Sequence, residues 1–189
     1  HPKQARKIVR HATSAQAIVM DFRQGSMPSD AMYHFYTRLT PDEVPSAHYY
    51  FSKFSFPGYW SPKGVQRTFS RRSKPWKDKE LVLLVGEYDI SQDEWWIMRF
   101  QTSPQAYTIG RPTGGALSYM AHIQLPGGYS AKFTMGGMTY PDGSPIFGPG
   151  VKLDERVEPS SQQLREGRDA DLERALEYLA NQSQANEAN

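Results

Sequence analysis

The sequence predicts an α/β fold, in which strands buried on both faces alternate with helices. Residues 17–22 and 81–85 are short, nearly continuous apolar runs, which are typical of the buried strands of such proteins. Each run is followed by a turn and then by a segment of helical composition, and residues 106–109 give a third short strand. These repeated units indicate one domain over residues 1–182.

Three helices are predicted around these strands. The first covers residues 5–14, and the third covers residues 90–101, directly after the most apolar strand. Ser29 or Asp30 can cap the second helix, which ends before Pro41.

The last predicted helix begins at Asp169, whose carboxylate can cap it, and ends at Gln182. Its apolar side chains recur at helical spacing, and we expect the stripe that they form to be buried. The stripe consists of Leu172, Ala175, Leu176 and Leu179. Residues 183–189 are polar and are predicted to form a frayed tail.

The remaining segments have a different pattern. Residues 49–56 alternate in part between aromatic and small polar side chains, which predicts a half-exposed strand. Residues 57–79 are rich in Gly, Pro, Ser and charged residues, and are predicted to form a long irregular excursion. Residues 117–147 contain Pro-Gly-Gly at 126–128 and Pro-Asp-Gly at 141–143, which predicts an antiparallel section of short strands.

The composition excludes several kinds of chemistry. The chain has no cysteine, so disulfides, thiolate catalysis and cysteine-ligated zinc are excluded. We expect no metal and no cofactor, since there is no metal-ligand spacing and no phosphate-binding loop. The net charge of +2 is too small to indicate a nucleic-acid partner. The chain begins with His1 and not with Met, so we expect a processed product or a fragment. We expect a periplasmic or secreted location in preference to a cytoplasmic one.

Ser91 is the candidate nucleophile. It lies between a buried strand and a helix, a place where a side chain is exposed at the edge of a sheet. The backbone N–H of Gln92 can point at a developing oxyanion there, and the helix dipole adds positive potential. The alternative role for a serine at this position is a helix cap. Glu94, one helical turn later, can orient a neighbour or complement the helix dipole.

Several motifs follow one another around Ser91. A hydrophobic strand at 83–85 precedes Ser91 and Glu94, and residues 109–115 read Ile-Gly-Arg-Pro-Thr-Gly-Gly. This order resembles the later part of the catalytic domain of the tail-specific (C-terminal processing) and tricorn-type serine peptidase family. Residues 18–23 look like that family's Asp-Leu-Arg strand. The family's order continues downstream at residues 125–128, 140–143, 150–154 and 167–169.

The resemblance implies a crotonase/ClpP-like α/β fold and peptide hydrolysis through an acyl-enzyme. Ser91 would attack the scissile carbonyl, and the N–H of Gln92 would supply one oxyanion donor. A second backbone N–H would come from Gly25, Ser26 or Met27. Gly114 and Gly115 would shape the floor of the substrate site. The partner implied is an extended peptide or unfolded protein, bound without a cofactor.

The chain departs from the family's pattern at the general base. The processing branch has a Lys after its Thr-x-Gly turn, where this chain has Ala116. The tricorn-like branch takes a His from a strand well upstream of the position of Asp21. We therefore expect a segment upstream of this chain, or a second chain, to complete the site, and we expect His34 and His122 to be structural.

Two alternatives remain open. Pro28 has no N–H to donate where the family has a tandem glycine, and Phe147 stands where tricorn-like enzymes carry a Glu. Together with Ala116, these residues favour a catalytically inactive peptide-binding or assembly module of the same fold. An acyl-CoA enzyme of the crotonase fold would need an oxyanion hole but no nucleophile, and the spacing of Ser91 and Glu94 argues against it.

Overall fold

The computed structural model of the chain describes residues 2–25, 29–52, 60–68, 76 and 78–187. Within these ranges it has two four-stranded sheets and five helices. The helices are α1 (Pro2–Ser14), α2 (Ser29–Leu39), α3 (Gln92–Phe100), α4 (Ser161–Arg165) and α5 (Ala170–Glu187). The strands are β1 (Ala17–Asp21), β2 (Pro45–Ser52), β3 (Trp60–Arg67), β4 (Glu80–Val85), β5 (Ala106–Gly110), β6 (Ser118–Gln124), β7 (Ser130–Thr139) and β8 (Glu155–Arg156). In the part of the chain described, no helix is long and apolar enough to cross a membrane.

The first sheet is parallel, with its strands in the order β1, β4, β5 and β8. Strand β4 explains the apolar run at 81–85, because both of its faces are covered. Leu83 and Val85 belong to the main core with residues of α2 and α3, whereas Val82 and Leu84 pack against Ala175 of α5. A strand buried on both sides has no position for a polar side chain. The predicted α/β class is thus confirmed.

The second sheet is antiparallel, with its strands in the order β3, β2, β7 and β6. The hairpin of β6 and β7 confirms the antiparallel section predicted after residue 117. Strand β3, however, lies inside residues 57–79, so the irregular excursion predicted there is wrong for residues 60–67, whereas residues 57–59, 69–75 and 77 lie outside the described residues. Pro62 and Gly64 interrupt its pattern, and a proline is tolerated because β3 is an edge strand.

Helix α5 differs from its prediction in length and in orientation. It continues to Glu187, beyond the predicted end at Gln182 and through most of the predicted tail. Leu176 is 56% exposed and Leu172 37%, so of the predicted stripe only Ala175 and Leu179 lie on the buried face. The face turned to the sheet contains Ala175, which is fully buried, with Tyr178 and Leu179 beside it. The small Ala175 side chain lets α5 approach the sheet closely.

The parallel sheet brings three loops to one edge. Strands β1, β4 and β5 are neighbours and run in the same direction, so the segments that follow them leave the sheet on the same side. These segments contain Gly25, Ser91 and Gly115 respectively. The carboxyl edge of such a sheet is where α/β proteins usually place their sites.

Candidate active site

Ser91 lies in a strained turn between β4 and α3. Its backbone has φ 56° and ψ −108°, a conformation that side-chain-bearing residues rarely adopt. Such strain costs about 1–3 kcal/mol and is concentrated at functional sites. The turn is fixed upstream, where the Gly86 N–H donates to the carboxylate of Asp89 at 2.8 Å. The result is an exposed serine held at the start of a helix, as predicted.

Glu94 is the residue that fixes this turn to the next loop. Its fully buried carboxylate accepts from the Ser91 N–H at 3.0 Å and from the Thr113 hydroxyl at 2.6 Å. It also accepts from the backbone N–H groups of Gly115 and Ala116, at 2.7 and 2.9 Å. Glu94 also lies in the first turn of α3, so these contacts fit both of the roles open to it in the sequence. The carboxylate holds the nucleophile's turn against the loop after β5.

The glycines of that loop are required by close contacts. A side chain at Gly114 would bring a Cβ within 2.4 Å of the Ile90 side chain, directly before Ser91. Gly115 has φ +61°, and a Cβ there would lie 2.4 Å from the Gly148 carbonyl oxygen. Both glycines therefore lie beside the Ser91 turn, and their contact with substrate stays a prediction.

The predicted oxyanion donors are described only in part. Gln92 is the first residue of α3, and the N–H groups of a first helical turn have no partner within the helix. Gly25 has φ 98°, and its N–H donates to the Phe22 carbonyl at 2.9 Å. That N–H is thus already used in a turn. Ser26 and Met27 lie outside the described residues.

A cleft of about 350 Å³ opens beside Ser91. It is lined by Gln66, Ser91, Gln92, Trp95, Leu117, Ser118, Tyr119 and Met138. None of these described residues carries an imidazole, an amine or a carboxylate that could act as a general base. His48 lies on β2 between Ala47 and Tyr49, which face the core, so its side chain points to the other face of the sheet. An external base therefore stays a prediction.

Comparison with known proteins identifies the family. The model of Peptidase family S41 matches residues 3–157, which is most of the chain. The chain belongs to this family. The resemblance to the tail-specific and tricorn-type peptidases is thereby confirmed, whereas no curated protein matches the chain.

Three solved structures share this fold, which confirms the predicted crotonase/ClpP-like type. A candidate peptidase from Parabacteroides merdae ATCC 43184 has a TM-score of 0.79 at 17% identity, covering 95% of this chain and 56% of the other. Mature CPAF complexed with lactacystin has a TM-score of 0.68 at 13% identity, covering 87% and 44%. The photosystem II D1 C-terminal processing protease has a TM-score of 0.59 at 16% identity, covering 80% and 37%. The S41 chain thus spans about half the length of these proteins, or less.

In this S41 chain, a network of ion pairs joins the start of α5 to the segments that follow β1 and β5 at the carboxyl edge of the parallel sheet. Arg23, after β1, contacts Asp21, Asp169 and Asp171 at 2.7–2.9 Å. Arg111, after β5, contacts the same buried Asp171 at 3.0 Å and Glu87 at 2.9 Å. Hydrogen bonds from Arg23 lower the pKa of both Asp21 and Asp169. Sequence analysis missed this network, because its members are far apart in the chain.

A buried carboxylic acid, Asp89, lies two residues before the nucleophile. Burial raises its pKa from 3.8 to about 7, and the nearby carboxylates of Asp93, Asp21 and Glu94 act in the same direction. The hydrogen bond from the Gly86 N–H opposes the shift only in part. The second oxygen of Asp89 has no hydrogen-bond partner among the described residues. Within those residues, no group of three or more acidic or histidine side chains is placed to hold a metal ion.

The raised pKa predicts how stability depends on pH. Between pH 4 and 7 the folded chain holds the Asp89 proton more tightly than the unfolded chain. The unfolding free energy therefore falls by about 2–4 kcal/mol from this group as pH rises through that window. Asparagine does not titrate, so Asp89→Asn does not show this loss. The unfolding free energy of the variant should therefore rise relative to that of the wild type as pH increases. Urea melts of both proteins from pH 4 to 8 check this, and parallel curves would contradict it.

Proposed function

We propose that this S41 chain carries the nucleophile of a serine endopeptidase that acts through an acyl-enzyme. The observation that supports this most strongly is the exposed Ser91, held in a strained turn at a cleft and fixed there by Glu94. The Ser91 Oγ adds to the scissile carbonyl while its proton passes to the base. The oxyanion forms near the Gln92 N–H at the positive end of α3. The amine leaves with the proton, and water then hydrolyses the ester in the same way.

The substrate is an extended peptide or an unfolded protein segment. Strand β6 is at the edge of the second sheet, and its first residues, Ser118 and Tyr119, line the cleft beside Ser91. None of its seven residues is Lys, Arg, Asp or Glu, the residues that usually block strand addition at an edge. A peptide paired with this edge would be led into the cleft by main-chain hydrogen bonds, with side-chain selection following.

The general base comes from an upstream segment or from a second chain. This is supported by the cleft, whose described lining residues include no base. A serine hydroxyl is a poor nucleophile without an adjacent base. The full-length protein is therefore expected to hydrolyse an unstructured peptide, and the isolated 189-residue chain to show little or no turnover. Adding the upstream segment as a separate polypeptide should restore activity.

Turnover is measured with a fluorogenic peptide, and a thermal melt confirms that the isolated chain is folded. Ser91→Ala in the full-length protein is the matched control for contaminating peptidases. Robust turnover by the isolated chain would overturn the external base, and His34, His48 and His122 would then be replaced one at a time to find an internal one.

The second candidate function is a catalytically inactive peptide-binding or assembly module of the same fold. Ala116 favours it, because this residue occupies the place of the processing branch's lysine. Such a module would bind the peptide along β6 and the cleft without cleaving it. Failure of the full-length protein to hydrolyse any peptide that it binds would favour this candidate over the peptidase.

A further inference from the structure

The cleft beside Ser91 has an apolar floor and walls without charge. Leu117 and Met138, each less than a tenth exposed, form its floor. Trp95 from α3 and Tyr119 from β6 stand at its sides. Among the described lining residues none is Asp, Glu, Lys or Arg. The side-chain amide of Gln66 on β3 forms a further wall, and the other polar side chains of the lining are those of Ser91, Gln92, Ser118 and Tyr119.

The side chains of Gln66 and Trp95 are held rigidly at the cleft, so they can discriminate between ligands of different charge. The Trp95 indole N–H donates to the Gln66 side-chain oxygen at 2.9 Å. The guanidinium carbon of the buried Arg99 lies 4.3 Å from the centre of the Trp95 ring. The Ser46 hydroxyl donates to the Gln66 carbonyl at 3.1 Å, which anchors the backbone of β3. Gln66 and Trp95 are therefore held in place before any substrate arrives.

We infer that this cleft receives an uncharged apolar side chain from the substrate residue adjoining the scissile bond, and that Gln66 enforces the choice. The inference rests on the proposed function, whose substrate class it narrows. An apolar side chain gains by leaving water for the surface of Leu117 and Met138. A charged side chain would lose its hydration and find no counter-charge among the described lining residues. The expected preference for Leu or Phe over Lys or Glu is about 100-fold in kcat/KM.

The test uses the full-length protein and peptides that differ at a single residue beside the scissile bond. Gln66→Glu keeps the shape of the side chain and its acceptor for Trp95, but adds a negative charge to the wall. It is expected to raise kcat/KM for the Lys peptide relative to the Leu peptide by about 10–100-fold. Gln66→Met is the matched control, since it removes the amide without adding charge, and it should keep the apolar preference.

Binding of the same peptides to Ser91→Ala separates this inference from the proposed function, because it reports specificity without turnover. Hydrolysis of the Lys and Leu peptides at equal rates, or an equal change for both in Gln66→Glu, would overturn the inference and leave the peptidase function standing. Binding that prefers Leu over Lys, without hydrolysis by the wild type, would support the cleft's specificity and overturn the peptidase function. Thermal melts of all variants confirm that they are folded.

Discussion

Replacing Ser91 with Ala in the full-length protein is expected to lower kcat/KM for peptide hydrolysis by at least about 10⁴-fold. The hydroxyl forms the covalent bond of the acyl-enzyme, and Ser91 is the only serine or threonine in the turn of residues 86–91. The melting temperature should stay within about 2 °C of the wild type, because an exposed hydroxyl contributes little to stability. Stopped-time peptide assays and calorimetry measure the two quantities. Ser130→Ala, at an exposed serine of β7, is the matched control and should change neither.

The strain at Ser91 gives this prediction a second readout. At φ 56° and ψ −108° a glycine is favoured over any residue with a Cβ. Ser91→Gly should therefore be as inactive as Ser91→Ala but more stable than it, by about 1 kcal/mol. The strained turn thus lowers the stability of the fold while it holds the nucleophile in position. If Ser91→Gly were less stable than Ser91→Ala, the turn would not be strained in solution.

Replacing Glu94 with Ala is expected to lower the unfolding free energy by about 3–5 kcal/mol. The change leaves four buried or partly buried donors without their acceptor, two of them in the backbone of Gly115 and Ala116. The third of these donors is the Ser91 N–H, so the turn that holds the nucleophile should loosen as well. We therefore expect kcat of the folded fraction to fall by at least about 100-fold. Urea melts and kinetics below the melting temperature measure these effects.

Glu94→Gln should fall between the wild type and Glu94→Ala. Its amide keeps one oxygen acceptor, while the NH₂ group faces donors where an acceptor is needed. Glu177→Ala, an exposed acidic residue of α5, is the control and should change stability by less than about 1 kcal/mol. A Glu94→Gln variant with wild-type stability and kcat would mean that the carboxylate does not organise the loop.

The fold could be predicted where local sequence and burial agree. Strand β4 was identifiable because both faces of residues 81–85 are covered, which leaves a continuous apolar run. Strand β3 was not, because Pro62 and Gly64 interrupt its alternation and only an edge position tolerates them. Leu172 and Leu176 were wrongly expected on the buried face of α5, because that face centres on Ala175, whose small side chain gives a weaker signal than its leucine neighbours.

The candidate site, like the fold, could be predicted only where the local sequence carries the signal. Ser91 was found from its position after β4 together with the family's motif order. The role of Glu94 depends on the pairing of Leu84 with Ile109, which brings the loop after β5 beside α3, and a single sequence does not contain that pairing. The contact of Arg23 with Asp171 depends likewise on how α5 packs against the strand ends. Such long-range contacts are set by the tertiary structure and leave no local pattern.

The central claim is that Ser91 is a nucleophile that forms a covalent intermediate. Mass spectrometry of the full-length protein after treatment with a serine-reactive phosphonate tests it most directly, because the probe reports bond formation without needing the natural substrate. We predict one adduct per chain, mapped by peptide digestion to Ser91 and absent from Ser91→Ala. A folded full-length protein that acquires no adduct, or acquires it on another serine, would contradict the claim.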